Sequence, residues 1–259
     1  MGLKLILLQK KRRSIKIKEE SLFEPELNVY FLPNENIKNH QIYILIDLLR
    51  ATSSISALLH CGAEEIFVTD SIEVAKELKK MGYLLAGERE AIKLEGFDFG
   101  NSPLEFLNNS DKIRKKSIVL TTSNGSKAMK KTSELGDIIA LSLLNFSSVV
   151  EFIRQGNFQS IGVVCSGTNR SVSFEDSYLG GLFVQKIMEK QTYHLNDGAK
   201  VSLNLTKCKK SYVMDSDHAK RLKALGLKDD LEFCFNMDLF QVVPYSKQNS
   251  YTFKNLISI

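Results

Sequence analysis

Asp47 and Arg50 stand three residues apart, directly after the five apolar residues Ile42–Ile46 and before the small polar run Ala51-Thr52-Ser53-Ser54. A carboxylate in that place can hold a cation. A guanidinium beside it offers a planar fork that grips phosphate oxygens as lysine cannot. Together they point to chemistry on a phosphorylated substrate. A structural role for Asp47 is the competing reading, because a carboxylate ending a buried run needs a partner and Arg50 is at hand. Three more polar clusters follow apolar runs: Glu88-Arg89, Ser123-Asn124-Gly125-Ser126 and Ser166-Gly167-Thr168. Arg89 beside Glu88 is a second anion-binding candidate, or half of a solvated ion pair of little consequence. The 123–126 turn could present a nest of backbone N–H groups to phosphate, although many strand-to-helix turns look the same.

Such clusters need a frame to bring them together. Ile42–Ile46 reads as a buried strand, and the segment after it as a helix with Thr52 or Ser53 at its N-cap and Gly62 past its end. Strands are predicted at Asn28–Leu32, Glu65–Thr69, Tyr83–Ala86, Ser117–Thr121, Ile138–Leu141, Ile161–Cys165 and Phe240–Val243. Helices are predicted from Ser71 to Met81, after Ser102-Pro103-Leu104-Glu105 (a capping box), after Ser126, from Asn145 to Arg154, from about Phe174 to Lys190, and over Ser216–Leu225. His194–Lys200 reads as a loop. This alternation predicts an α/β protein with a largely parallel sheet and helices on both faces. Ligands bind outside the carboxyl ends of such strands, and all four clusters lie there. They are expected to converge on one edge of the sheet.

The chain has 259 residues, 43% hydrophobic and 25% charged, which suits one large domain or two interlocked halves. No repeat and no Gly-, Ser- or Pro-rich linker divides it. Residues 1–25 read as an N-terminal extension, a short strand and a basic segment, and 26–259 as a single domain. In that extension Lys10-Lys11-Arg12-Arg13 follows the apolar Leu3–Leu8, the wrong order for a signal peptide. No segment reaches the roughly 20 apolar residues of a membrane span, so a cytoplasmic location is expected. The net charge of +5 is mild and dispersed, fitting a small anionic substrate and arguing against nucleic acid. Four cysteines without paired spacing read as free thiols in a reducing compartment. A homodimer is expected only from the general prevalence of twofold assemblies.

Taken in order, Asp47-Leu48-Leu49-Arg50-Ala51-Thr52-Ser53, Gly87-Glu88-Arg89, Gly96-Phe97-Asp98-Phe99-Gly100-Asn101-Ser102-Pro103, Thr122–Ser126, Cys165-Ser166-Gly167, Glu175-Asp176 and Gly180-Gly181 resemble the 2-phosphosulfolactate phosphatase (ComB-like) family. The likeness spans roughly residues 28–245. It implies a three-layer α/β/α fold with a mostly parallel sheet and two interwoven halves. The activity it implies is Mg²⁺-dependent release of phosphate from 2-phospho-3-sulfolactate, giving 3-sulfolactate, on the route to coenzyme M. Ser126 stands where the family has threonine and keeps the hydroxyl. A glycine usual after the glutamate–arginine pair is replaced around Glu90-Ala91.

Against that resemblance, Asp47, Glu175 and Asp176 are the expected Mg²⁺ ligands, with Asp98 in reserve; acids in a helix's first turn also simply offset its dipole. Asp47, Arg50, Glu88 and Asp98 are the catalytic candidates. Arg50, Thr52, Arg89, Asn101, Ser123, Asn124, Gly125 and Ser126 are the candidates for binding substrate and phosphate, while Ser102 reads chiefly as a helix cap. The expected nucleophile is a metal-bound water or hydroxide. An aspartyl-phosphate route through Asp47 lacks a second aspartate two residues on, where Leu49 stands. Cys165 and Arg170 are separated by one residue too few for a cysteine-phosphatase loop, so Cys165 reads as a buried thiol. His218 alone among the histidines is worth testing as acid or base, against a surface helix position. A non-catalytic anion-sensing protein that uses its basic N-terminal segment is the rival function.

Overall fold

The computed structural model describes residues 24–257, so the short N-terminal strand and the Lys10–Arg13 basic run lie outside the described residues. The chain opens with strands β1 (Glu26–Tyr30) and β2 (Ile42–Ile46), and β2 runs into helix α1 (Ala51–His60). An excursion follows: β3 (Glu65–Val68), α2 (Ile72–Lys80), β4 (Leu84–Arg89), β5 (Ile92–Lys93), α3 (Pro103–Leu107), α4 (Ser110–Ile113) and β6 (Ser117–Thr121). Helix α5 (Gly125–Ser133) leads back to β7 (Ile138–Leu141), α6 (Phe146–Gly156), β8 (Ser160–Cys165), α7 (Phe174–Met188), β9 (His194–Leu195) and α8 (Asp197–Leu205). Three short helices, α9 (Lys210–Val213), α10 (Asp217–Ala224) and α11 (Lys228–Cys234), precede the closing hairpin of β10 (Pro244–Ser246) and β11 (Thr252–Asn255).

The strands form one sheet in the order β5-β4-β6-β3-β11-β10-β7-β2-β8-β1-β9. Strands β7, β2, β8, β1 and β9 pair in parallel, as do β3, β6 and β4. The second block is inserted between β2 and β7 of the first, which gives the two interwoven halves. The hairpin joins them through three antiparallel pairings: β7 with β10, β10 with β11, and β11 with β3.

Burial follows the two-residue period of the strands. Ile42, Ile44 and Ile46 pack with Val149, Ile153, Leu179 and Phe183 of α6 and α7. Tyr43 and Leu45 face the other way, into a core shared with Ile55 and Leu58 of α1 and with Ile66, Ile118 and Leu120 of the second block. Helix α1 is therefore enclosed by both halves of the sheet, and nine of its ten residues are buried. Its small hydroxyl residues fit such a place because they bond locally: Ser53 Oγ donates to Leu48 O (2.8 Å) and Ser56 Oγ to Thr52 O (2.9 Å).

Several sequence expectations shift here. Phe240–Val243 is not a strand; the pairing begins at Pro244, and β11 was not foreseen. His194–Lys200 contains a two-residue strand and the start of α8, capped by Asn196. Neither Thr52 nor Ser53 caps α1, since Asp47 Oδ1 takes the Ala51 N–H instead (3.1 Å). The Ser102 box is half made: Ser102 Oγ accepts from Glu105 N, but the Glu105 carboxylate accepts from Gly100 N.

Two helices touch closely because one carries glycine. A Cβ added at Gly181 of α7 would stand 2.0 Å from the Ser202 carbonyl oxygen of α8. Gly181→Ala must push these helices apart and is expected to destabilise the protein by about 2 kcal/mol. A lowered urea midpoint at unchanged slope is the measurement that checks it.

Candidate functional site

A cavity of about 50 Å³ lies where β2, β4 and β6 end, walled by Asp47, Arg50, Glu88, Asn101, Ser123, Asn124, His218 and Arg221 among others. The clusters read from sequence do converge, but not along one flat edge. Strands β2 and β6 are five places apart in the sheet, roughly 24 Å at the usual strand spacing. Yet a Cβ on Gly125, just past β6, would stand 2.8 Å from Asp47 Oδ2 and 2.5 Å from Ala51 Cβ. The sheet bends around α1 and folds the two sets of strand ends onto each other. Glycine at 125 is what allows the two strand-to-helix turns to touch.

Asp47 is buried, with Oδ1 committed to the N-terminus of α1 and Oδ2 against Gly125. Burial pushes its carboxyl above the ordinary value, opposed by the Ala51 N–H and by His218. Asp176 begins α7 nearby, Oδ1 accepting from Leu48 N (2.9 Å) and Oδ2 from Ser166 Oγ (3.3 Å). Burial, and then the charges of Asp47 and Glu175, hold it well above the usual carboxylate range. Glu175 goes the other way. Burial would raise it, but His218, whose Nδ1 lies 3.2 Å from Oε1, keeps it below its ordinary value. Neither Glu175 oxygen has an aligned hydrogen-bond partner. The three acids expected to hold a metal are thus electrostatic neighbours. Among the described residues, however, no group of three or more His, Cys, Asp or Glu side chains is arranged as a metal cage.

Arg50 is not paired with Asp47. Its Nη1 donates to Asp230 of α11, both side chains being almost fully buried, and Asp230 Oδ1 accepts from Ser102 Oγ (2.7 Å). Arg50 still lines the cavity, as a neutralised cation. Glu88 has its oxygens taken by Ser123 N (2.7 Å), Ala91 N (2.6 Å) and Ser123 Oγ (3.2 Å), so it braces two turns at the cavity wall. Asp98 lies outside the cavity, accepting from Leu85 N and facing Lys79, so the structure does not bring it together with the other catalytic candidates. Thr52 closes the strand-to-helix turn on Asp47's own backbone and reaches no cavity. Ser126 does the same for Thr122 (2.9 Å). Arg89 bonds the carbonyls of Glu88 and Asp70 and the Thr121 hydroxyl, and it lines a neighbouring cleft instead. Asn101 and Asn124 do face the cavity, and Asn101 Oδ1 is buried without a partner. Cys165 is fully buried with its thiol held far above the usual range, chiefly by desolvation, so it offers no thiolate.

His218, read from sequence as a surface position, sits at the cavity wall between Thr168 Oγ1 and Glu175. Arg221, one turn along α10, lines the same wall and pairs with exposed Glu90 at 3.2 Å. Their i, i+3 spacing was legible as one helix face. Asp230 was not, because an acid in a helix's first turn looks the same whatever it meets.

The family model for 2-phosphosulpholactate phosphatase matches residues 29–249. A relative from Thermotoga maritima, named "Probable 2-phosphosulfolactate phosphatase", is 42% identical over 205 residues, 78% of this chain and 87% of its own length. Relatives with the same name from Caldanaerobacter subterraneus subsp. tengcongensis and Clostridium beijerinckii are 35% and 32% identical, covering 87% and 84% of this chain and 96% and 94% of theirs.

Two stability outcomes follow from the buried charges. Asp230→Ala strands the Arg50 guanidinium and is expected to cost about 3 kcal/mol, measured by urea unfolding. Asp176→Asn removes one of the crowded acids while keeping an acceptor for Leu48 N, so without divalent cations it should raise the unfolding midpoint. An acid whose folded value exceeds its unfolded one contributes stability that is full below the unfolded value and is lost as pH rises through the folded value. The advantage of Asp176→Asn over wild type should therefore grow as pH climbs above the ordinary carboxylate range and vanish below it.

Proposed function

Because the chain belongs to the 2-phosphosulfolactate phosphatase family, we propose that it hydrolyses a small anionic phosphate monoester, with 2-phospho-3-sulfolactate as the substrate and 3-sulfolactate and phosphate as products, on the route to coenzyme M. The observation that carries this reading is the small cavity lined by Asp47, Arg50, Asn101, Asn124, His218 and Arg221.

The donor chemistry fits Mg²⁺. This ion uses one or two protein carboxylates and keeps several waters, so a three-acid cage is not required. Asp47 and Glu175, whose Oε1 faces His218 and whose Oε2 has no hydrogen-bond partner, are the residues that would hold it, with Asp176 adding negative charge close behind. When bound, the ion would neutralise phosphoryl oxygens and fix the geometry of attack.

The chain's own groups supply the rest. Arg221 is held only by an exposed acid, so it can exchange Glu90 for a phosphoryl oxygen at little cost. Asn101 and Asn124 present amides to the same space, and Asn124 is steadied by the Asn169 N–H (3.3 Å). Arg50, fixed by Asp230, adds a positive end that does not have to reorganise. Asp47 orients the attacking water, and His218, anchored by Thr168 and Glu175, stands at the wall as the proton donor to the departing alkoxide. The buried, protonated Cys165 takes no part.

Incubation with a panel of phosphorylated hydroxy acids should release inorganic phosphate, with loss of release in EDTA and recovery on adding Mg²⁺. Asp47→Asn should lower kcat by on the order of 100-fold or more with little change in stability. No phosphate from any ester would remove the reading, and release that EDTA leaves untouched would remove its metal.

A further inference from the structure

The inner cavity is poor in free positive charge. Among the described residues that line it, the permanent cations are Arg50 and Arg221, and the carboxylates are Asp47, Glu88 and Glu90. Each guanidinium already has an acid. Arg50 is bound to Asp230 with both side chains almost fully buried, and breaking such a pair leaves a stranded charge in the interior. Arg221 is bound to Glu90 at 3.2 Å, and here both groups reach solvent: the side chains are 38% and 81% exposed. A phosphoryl group that seeks a side-chain cation in this cavity must therefore take Arg221 from Glu90.

We propose that Glu90 is a built-in competitor for the phosphoryl site. It gives up Arg221 when the ester enters and takes it back as inorganic phosphate departs, so it weakens binding and hastens product release. The inference rests on the phosphatase reading above and adds a residue that sets affinity without touching the reacting atoms.

The backbone that carries Glu90 is firmly held. Glu90 and Ala91 form the turn between β4 and β5, and both are left-handed, with φ 57° and 68°. Such backbone in residues other than glycine costs free energy and persists only where the surroundings impose it. Three contacts do so. Glu90 N donates to Ser123 Oγ (3.2 Å), Ala91 N to a Glu88 carboxylate oxygen (2.6 Å), and Arg50 Nη2 to Ala91 O (3.4 Å). The turn is thus fastened to the buried guanidinium at the opposite wall. A displaced Glu90 side chain stays on this fixed backbone, within reach of Arg221, at an effective concentration that free phosphate has to overcome. Solvent keeps the exchange easy, because the freed carboxylate is hydrated. An exposed ion pair of this kind is worth up to about fivefold in an equilibrium constant. A penalty of that size favours release without preventing capture.

The test is calorimetric titration of the protein in Mg²⁺ with inorganic phosphate, on wild type, Glu90→Gln, Arg221→Gln and the double variant. Glutamine keeps the length of Glu90 and removes only its charge. Glu90→Gln should bind phosphate about three- to fivefold more tightly, a gain that shrinks as salt is raised. In the Arg221→Gln background the same change should gain less than about twofold, because both residues act on one contact. During turnover, the inhibition constant of product phosphate should fall in Glu90→Gln by the same factor as its dissociation constant. Phosphate affinity unchanged or weakened in Glu90→Gln overturns the proposal. So does a gain that survives in full without Arg221, which would be bare repulsion across the cavity. If phosphate binds but no ester is hydrolysed, the phosphatase reading fails and these affinities alone decide the proposal. If neither wild type nor Glu90→Gln binds phosphate, both fall.

Discussion

Three carboxylates, Asp47, Glu175 and Asp176, are buried in one corner of this protein with only the edge of an imidazole to balance them. Charges of one sign in a medium of low polarity repel strongly, and a fold keeps them together only when something else fixes their positions. Here the backbone does so. The N-terminus of α1 holds Asp47, the Leu48 amide holds Asp176, and α7 delivers Asp176 and Glu175 as successive residues of one turn. Each contact places a strand end against a helix start, where unpaired amides are available to acids. The corner is therefore an electrostatic defect held in shape by secondary structure.

On the opposite side the arrangement is reversed. Arg50 would be the obvious phosphate ligand, yet its charge is answered by Asp230 and, through Asp230, tied to Ser102 at the start of α3. A buried pair of this kind contributes modestly to stability, but it ties three distant segments to one geometry. Arg221, on the same cavity wall, is held only loosely, by exposed Glu90. Rigid and mobile positive charge are thus supplied by different residues.

What the sequence revealed was what is local. The run Ile42–Ile46 announced a strand buried on both faces, and Ser71, Ser102 and Ser216 marked helix starts because each cap is settled within three residues. The strand-end clusters did meet, although by a bend in the sheet that no local pattern encodes. Hidden were partnerships across long stretches: Asp230 with Arg50, Asn196 with both Val29 backbone groups, and the hairpin at residues 244–255 that joins the halves. Glu88, Asp98 and Thr52 looked functional by residue type and spacing, but the oxygens of Glu88 and Thr52 brace turns and Asp98 ties its loop to the Leu85 amide. An acid that braces a loop and one that meets a substrate are the same letter in a sequence. At Glu90-Ala91, where a glycine was missed, both residues take left-handed backbone, which glycine adopts without strain.

The insertion of the β3–β6 block between β2 and β7 also governs when the protein can become active. Strand β2 emerges from the ribosome early, but its two neighbours in the sheet are made about a hundred residues later. The partner of Arg50 follows later still, at position 230, and the hairpin that joins the halves comes after that. Until those residues are made, β2 lacks both its sheet neighbours and Arg50 lacks its partner. Contacts this distant along the chain form slowly. The Arg50–Asp230 pair and the seam between the halves can form only once these last segments have been made.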